Sequence, residues 1–284
     1  MTNSPASNWH NISISDPDAL KFAGEQLHQA AQFLAIVGRN LLPNLPDDSN
    51  SNIGLVAAGL IGRKINGPFP FHALIDIPGF TLNLVDKDMT RLWSIDLSGK
   101  SRTEVLSELK SEVSKLGLNG SSLKFIDHYK IETPHPIESG APFEKPQNND
   151  LLTWYSMYSN ARIILSQAAS EFSQADEIRI WPHHFDIGTY IPLDENGTKA
   201  MGMGLAIPDT IIDDFYFYIY GWQKNVKIDH SEFKELSIGN WRWGDWNGAV
   251  LPYQELIAKT ESNQRDEALK FFKESIQAYL SILK

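Results

Sequence analysis

Hydrophobic positions along the chain recur with helical spacing in some stretches and alternate as in strands in others. Leu20, Leu27 and Leu34 are spaced as on one helix face within residues 18–42, and Pro43 follows this stretch. Proline cannot continue a helix because it lacks a backbone N–H and its ring clashes with the preceding turn. The pattern therefore predicts a first helix that ends before Pro43.

Strand-like runs follow this helix. They lie at residues 53–65, 71–77, 80–85 and 91–97. Asn66-Gly67 and Pro78-Gly79 separate the first three runs, and both dipeptides favour tight turns. Ser101 or Thr103 then caps a predicted helix that ends near Leu116, with Gly117 just beyond it.

The second half of the chain repeats this order of elements. The pattern predicts a helix at 150–172, strands at 178–193, 200–207 and 214–222, and a last helix at 264–283. Asn196-Gly197 stands between the first two of these strands, as Asn66-Gly67 does in the first half. We therefore predict an α+β fold with two helix–antiparallel strands–helix halves, and the shared order suggests a pseudo-repeat.

The boundary between the halves is predicted from composition. Residues 132–149 contain Pro134, Pro136, Pro142 and Pro146, which exclude a regular helix. The predicted organisation is an N-terminal half at 1–131, a linker at 132–149 and a C-terminal half at 150–284.

Composition and charge exclude several classes of protein. The 284 residues include no cysteine, which excludes disulfide scaffolds, thiolate nucleophiles and cysteine-ligated metals. A net charge of −10 repels phosphate backbones, so we expect no nucleic-acid partner. No signal peptide and no membrane-spanning run are recognisable, which predicts a cytoplasmic protein with no membrane partner. Neither a P-loop nor a dinucleotide fingerprint occurs, so the sequence names no cofactor.

The stretch WPHHFD, at residues 181–186, offers the most reactive combination of side chains. If this stretch is extended, Trp181 and His183 share one face, and His184 and Asp186 share the other. A histidine and a carboxylate two residues apart can form an acid–base pair or hold a metal together. The alternative is that Asp186 only stabilises a turn by hydrogen bonds.

An aromatic pocket is predicted in the C-terminal half. In DFYFYIYGW, alternation places Tyr216, Tyr218 and Trp222 on one face of a strand, opposite an apolar face. Trp241 and Trp243 follow in a segment rich in tryptophan. With Trp181, these residues are predicted to wall a pocket for ring-shaped, sugar-like or choline-like ligands. The alternative is that the same rings are packed under a helix or a loop.

A metal site is a further hypothesis. Non-haem iron oxygenases hold iron with His-x-Asp and a distant histidine. His184, Asp186 and His230 have a compatible spacing, and Arg242 could bind the carboxylate of a co-substrate. This alternative predicts a metal-dependent enzyme, a hydrolase or an oxygenase.

The chain resembles a bacterial family known only as a domain of unknown function. The resemblance spans most of the chain and is carried by FLAIVGRNLLP, GLVAAGLIGRKI, APFEKPQ, WPHHFDIGTY, DDFYFYIYGW and GAVLPYQELI. It implies that members of the family retain Phe185-Asp186 and the aromatic strand, whereas the two positions before Phe185 vary. The resemblance implies no known activity or cofactor. An arginine common in the family shortly after this motif is absent here, where Thr189 and Tyr190 stand. The resemblance therefore favours Asp186 over His184 as the functional residue.

The sequence leaves three functions open. The first is small-molecule binding in a C-terminal pocket centred on Asp186 and His184. The second is an enzyme in which these two residues are catalytic, and the third is a structural or partner-binding protein without a small ligand. The sequence does not specify the ligand or the oligomeric state.

Overall fold

A computed structural model describes residues 8–125, 129–131, 135–258 and 263–283. Contacts divide this part of the chain into two units. The first contains residues 14–155 and 180–185, and the second contains residues 8–13, 156–179 and 186–283, with the gaps given above. The boundary between the units lies within one helix, between Tyr155 and Ser156, and the chain crosses it again before residue 180 and after residue 185, on either side of most of the WPHHFD stretch.

The first unit combines a buried helix with an antiparallel sheet. Helix α1 (Pro17–Leu41) starts after Asp16, whose side chain accepts a hydrogen bond from the Ala19 N–H at 3.0 Å. The sheet has the strand order β1-β2-β3-β4-β5. Its strands are β1 (Gly54–Val56), β2 (Gly59–Ile61), β3 (His72–Asp76), β4 (Thr81–Val85) and β5 (Arg91–Asp96). Ala73 and Ile75 of β3 are fully buried on the α1 side, as alternation requires of a sheet with one covered face.

Helix α2 (Arg102–Lys115) follows the sheet. Its N-terminal turn is a capping box, in which the Ser101 hydroxyl accepts from the Glu104 N–H and the Glu104 carboxylate accepts from the Ser101 N–H. Two backbone donors that the helix cannot satisfy are thereby bonded. Of the two predicted caps, Ser101 and Thr103, the structure has Ser101.

The second unit is built on a larger antiparallel sheet of order β10-β11-β9-β8-β7-β6. Its strands are β6 (Arg179–Ile180), β7 (Ile187–Pro192), β8 (Lys199–Ala206), β9 (Tyr216–Gln223), β10 (Asn240–Arg242) and β11 (Gly248–Pro252). Its helices are the part of α3 (Asn148–Ala168) that follows Tyr155, together with α4 (Tyr253–Ile257) and α5 (Gln264–Leu283). Phe217 of β9 packs against Phe272 of α5, which covers one face of the sheet.

The α+β fold class is confirmed, whereas several element boundaries differ from the prediction. The run at 53–65 is a hairpin whose turn is Ala57-Ala58, rather than one strand. The sequence pattern also missed β10 and β11. The two sheets have different numbers and orders of strands, so the pseudo-repeat stays a hypothesis about element order.

The predicted linker at 132–149 is in part a packed segment of the first unit. Phe143 is buried, its N–H donates to the Lys100 carbonyl, and the Glu144 N–H donates to Gln26 of α1. Residues 132–134, including Pro134, lie outside the described residues. In the described part of the chain, no helix has the length and apolar character that crossing a membrane requires.

Candidate functional site

The WPHHFD stretch forms a turn instead of an extended strand. Residues 182–184 form the turn, and the Phe185 N–H donates to the Trp181 carbonyl at 2.7 Å. Phe185 has a φ of 56°, in the left-handed region that non-glycine residues rarely adopt. Strand β7 begins only at Ile187. The prediction that His184 and Asp186 share a strand face was therefore wrong.

Two side chains of α1 hold the carbonyl oxygen of this turn. The Pro182 oxygen accepts hydrogen bonds from His28 Nε2 at 2.9 Å and from Gln32 Nε2 at 2.7 Å. The Gln32 Oε1 atom in turn accepts from the Tyr129 hydroxyl at 2.8 Å. Burial lowers the pKa of His28 to about 4, which keeps its ring neutral at neutral pH. The first unit thus fixes the turn by neutral hydrogen bonds.

A stack of three rings anchors Phe185. The Phe185 ring lies 4.9 Å from His28 at an interplanar angle of 2° and 5.2 Å from Trp154 at 16°. Phe185 is fully buried. Backbone strain of this kind persists only where the surrounding structure determines the position, and the stack supplies that support.

His183 and His184 lie in the first unit with Trp181. The two histidine rings are 4.4 Å apart, and His183 is 5.6 Å from Tyr129 and 6.3 Å from Trp181. His184 is exposed. Asp186 belongs to the second unit, so the structure assigns the two predicted catalytic residues to different units.

Asp186 has a tyrosine partner in the second unit. It is 9% exposed, and its carboxylate accepts a hydrogen bond from the Tyr218 hydroxyl. Burial, then the nearby Asp186 charge, raise the pKa of Tyr158 and of Tyr220, and the same causes act on Tyr218. These phenols therefore stay protonated at neutral pH, and the Tyr218 hydroxyl is the one shown to donate to the carboxylate.

Glycines on the neighbouring strands leave room for the Tyr218 side chain to reach Asp186. Gly204 of β8 is directly opposite Tyr218, and Gly188 of β7 is directly opposite Gly204. A Cβ atom on Gly204 would lie 2.6 Å from the Tyr218 hydroxyl oxygen, and one on Gly188 would lie 2.9 Å from it. The Tyr218 side chain thus extends across the sheet over two glycines toward Asp186. Tyr220 lies over Gly202 in the same way, 2.3 Å from where that residue's Cβ would be.

A second tyrosine–carboxylate pair lies next to the first. Tyr216 donates a hydrogen bond of 2.7 Å to Asp209 and is buried, with Ile211, Ile212 and Trp246 packed nearby. The Tyr218 and Tyr220 rings are stacked 6.3 Å apart at 14° and are half-buried, while Trp222 is 41% exposed. Alternation along β9 places all four rings on one face, which we call the tyrosine face.

Trp241 and Trp243 lie away from the tyrosine face. Trp241 is directly opposite Ala249, which is opposite Ile219, so these three side chains share the sheet face covered by α5. The Trp241 ring contacts Tyr279 of α5 at 5.7 Å and stacks on Trp243 at 5.4 Å. The structure therefore does not form the single wall of six rings that the sequence predicted. Of those six, Tyr216, Tyr218 and Trp222 share a face.

The hypothetical metal ligands belong to two different units. Within the described residues, no group of three or more histidine, aspartate or glutamate side chains is placed to hold a metal ion. His184 belongs to the first unit, and His230 of the second unit stacks on Trp243 at 3.9 Å. His184, Asp186 and His230 are thus not part of any such group in the described part of the chain, and Arg242 is an exposed residue of β10.

Several residues of this site were missing from the sequence prediction. His28 and Gln32 could have been noticed, because they stand in the mostly apolar segment 26–38 of α1, where the structure buries both of them. The alternating glycines of MGMG in β8 were also a signal that large side chains cross that strand. Tyr158 gave no such signal, since one tyrosine in a helix is unremarkable.

Comparison of the chain with family models, with curated proteins and with solved structures yields no match. The resemblance to a domain of unknown function therefore stays a prediction.

Proposed function

We propose that this protein binds a small, positively charged molecule on the tyrosine face of the second unit, with Asp186 supplying the opposite charge. The observation that carries the proposal is the buried Asp186 carboxylate bonded to the half-buried Tyr218. A carboxylate with low exposure to water attracts a cation more strongly than a solvated one does.

The aromatic rings support the choice of a cation. Tyr218, Tyr220 and Trp222 expose part of their surface on the same face as the Tyr218–Asp186 bond. The faces of such rings attract ammonium groups, by about 0.5–2 kcal/mol for each well-placed ring. A quaternary ammonium group combines positive charge with an apolar surface, and we therefore choose choline as the probe.

The test compares choline with 3,3-dimethylbutan-1-ol, in which a neutral carbon atom replaces the charged nitrogen of choline. Binding of both is measured by isothermal titration calorimetry of the full chain. The proposal predicts saturable binding of choline and weaker or undetectable binding of the isostere. Asp186→Asn is expected to weaken choline binding, whereas the matched variant Asp209→Asn changes the adjacent carboxylate and should leave it largely intact. Equal binding of choline and its isostere, or no binding of choline at millimolar concentration, would overturn the proposal.

A further inference from the structure

The first unit contains a cavity of about 440 Å³. It lies on the sheet face opposite α1 and is lined by Val56, Ala57, Ala58, Leu74, Asp76, Asn83, Val85, Met89 and Arg91. Cavities of about 300–1,000 Å³ are typical of small-molecule sites. Most of this lining is aliphatic, and its three polar residues differ in chemistry.

One lining residue is negative, one is positive and one is a buried amide. Asp76 is half-buried at the end of β3, and Arg91 is exposed at the start of β5. Neither side chain makes an ion pair or hydrogen bond with any residue that the structure describes. The cavity is therefore lined by a carboxylate and a guanidinium that are not neutralised by protein groups. A ligand that carries both a positive and a negative charge could pair with both of them.

Asn83 is the third polar residue. It is 1% exposed in the middle of β4, and its Nδ2 group donates to the Thr81 carbonyl at 3.2 Å and to the Thr81 hydroxyl at 3.0 Å. Its Oδ1 atom has no hydrogen-bond partner among the described residues. Leaving a buried acceptor without a partner is unfavourable, so a donor from a ligand would stabilise the protein there.

A β-bulge places Arg91 on the cavity. Leu84 is paired with Trp93, but Val85 is paired with Arg91, so Leu92 has no partner in β4. The extra residue turns Arg91 to the face of Val85 and Asn83. Without the bulge, Leu92 would be opposite Val85 and Arg91 would lie beyond the end of the strand pair.

The turn before Arg91 is also fixed in an uncommon conformation. The Asp86 side chain accepts from the N–H groups of Asp88 and Thr90, both at 2.9 Å. Met89 in this turn has a φ of 63°, a left-handed conformation in a non-glycine residue. The turn therefore holds Met89 and Arg91 at the cavity by local hydrogen bonds and at some cost in backbone energy.

We infer that this cavity binds an α-amino acid with an aliphatic side chain. The guanidinium of Arg91 pairs with the ligand's carboxylate, and the carboxylate of Asp76 pairs with its ammonium group. Asn83 Oδ1 accepts a further ammonium hydrogen. Leu74, Val85 and Met89 contact the aliphatic side chain. This site lies in the first unit and does not depend on the proposed cation site of the second.

The test titrates the full chain with L-leucine by isothermal calorimetry. Two analogues each lack one charge: isocaproic acid has no ammonium group, and isoamylamine has no carboxylate. The inference predicts saturable binding of leucine and a loss of roughly tenfold or more in affinity for each analogue, as expected when a charged hydrogen bond is removed.

Variants localise the binding. Arg91→Met and Asp76→Asn should each weaken leucine binding roughly tenfold or more. Lys87→Met removes an exposed cation of the same turn, and Asp96→Asn removes an exposed carboxylate of β5. Both serve as matched controls that should bind leucine as the wild type does. Circular dichroism spectra confirm that each variant is folded.

The inference is overturned if leucine shows no saturable binding at millimolar concentration. It is also overturned if the analogues bind as tightly as leucine, or if Arg91→Met and Asp76→Asn bind leucine as well as their controls. None of these results bears on choline binding at Asp186, which is measured separately on the same preparations.

Discussion

The Tyr218 hydroxyl donates a hydrogen bond to the Asp186 carboxylate across three strands of the second sheet. The two residues are 32 positions apart in the chain. Their contact depends on Gly204 and Gly188, over which the Tyr218 side chain lies. The proposed cation site thus requires the observed register of the strands, which places these glycines beneath Tyr218, as well as the two residues themselves.

Removal of the Tyr218 hydroxyl should destabilise the protein. Tyr218→Phe leaves the buried carboxylate of Asp186 without this donor, and we expect a loss of about 1.5–3 kcal/mol in the free energy of unfolding. Urea unfolding monitored by circular dichroism measures this loss. The matched variant Tyr216→Phe removes the donor to the less buried Asp209 and should cost less. An equal loss in the two variants would show that burial of Asp186 does not set the strength of the bond.

A methyl group at Gly204 should also be destabilising. The Cβ atom of Gly204→Ala would lie 2.5 Å from the Ile187 carbonyl oxygen and 2.6 Å from the Tyr218 hydroxyl, distances at which atoms must move. Overpacking of this kind costs about 1–3 kcal/mol.

The control for this variant is Gly62→Ala. The Cβ atom there would have only ordinary contacts, at 3.5 Å from its nearest neighbours. Urea unfolding of both variants gives the comparison. If Gly204→Ala is as stable as Gly62→Ala, the Tyr218 side chain does not need the space above Gly204.

The stability of the first unit should decrease as the pH falls through the acid range because of His28. Burial lowers the pKa of His28 from the ordinary 6.5 to about 4, so between these values the unfolded chain binds a proton that the folded protein does not. Stability therefore falls as the pH drops from about 6.5 to about 4, by about 3 kcal/mol in total from this residue.

The variant His28→Gln keeps an N–H donor near the Pro182 carbonyl but cannot titrate. It should reduce the decrease in unfolding free energy between these two pH values, measured by urea unfolding at each pH. His72→Gln replaces a half-buried histidine of β3 and controls for the loss of one histidine. If the unfolding free energy of His28→Gln depends on pH as that of the wild type does, His28 is not the cause of the decrease.

Helices and single-faced strands were predictable from the sequence, because their hydrophobic periodicity reflects which face is covered. The bounds of α5 match the prediction, and the apolar residues of β9 face α5 as alternation requires. The fold class followed from the same patterns. The hairpin at Ala57-Ala58 was missed because alanine carries no turn preference comparable to that of Asn-Gly.

The candidate site was predicted only in part. Asp186 and Tyr218 were identified from residue type, whereas their contact depends on the register of β7, β8 and β9, which local sequence does not encode. Trp241 was assigned to the wrong face because its strand was not predicted. The left-handed Phe185 could not be foreseen, since it depends on the rings of His28 and Trp154, which are distant in sequence.

The most direct test of the central claim is the ratio of choline dissociation constants between Asp186→Asn and the wild type, measured by calorimetry with Asp209→Asn alongside. A cation held against a poorly solvated carboxylate should bind roughly tenfold or more weakly once that charge is removed. The account therefore predicts a ratio of that size for Asp186→Asn and a ratio near unity for Asp209→Asn. A ratio near unity for both variants, with both proteins folded, would contradict the proposal that Asp186 is the anionic centre of a ligand site.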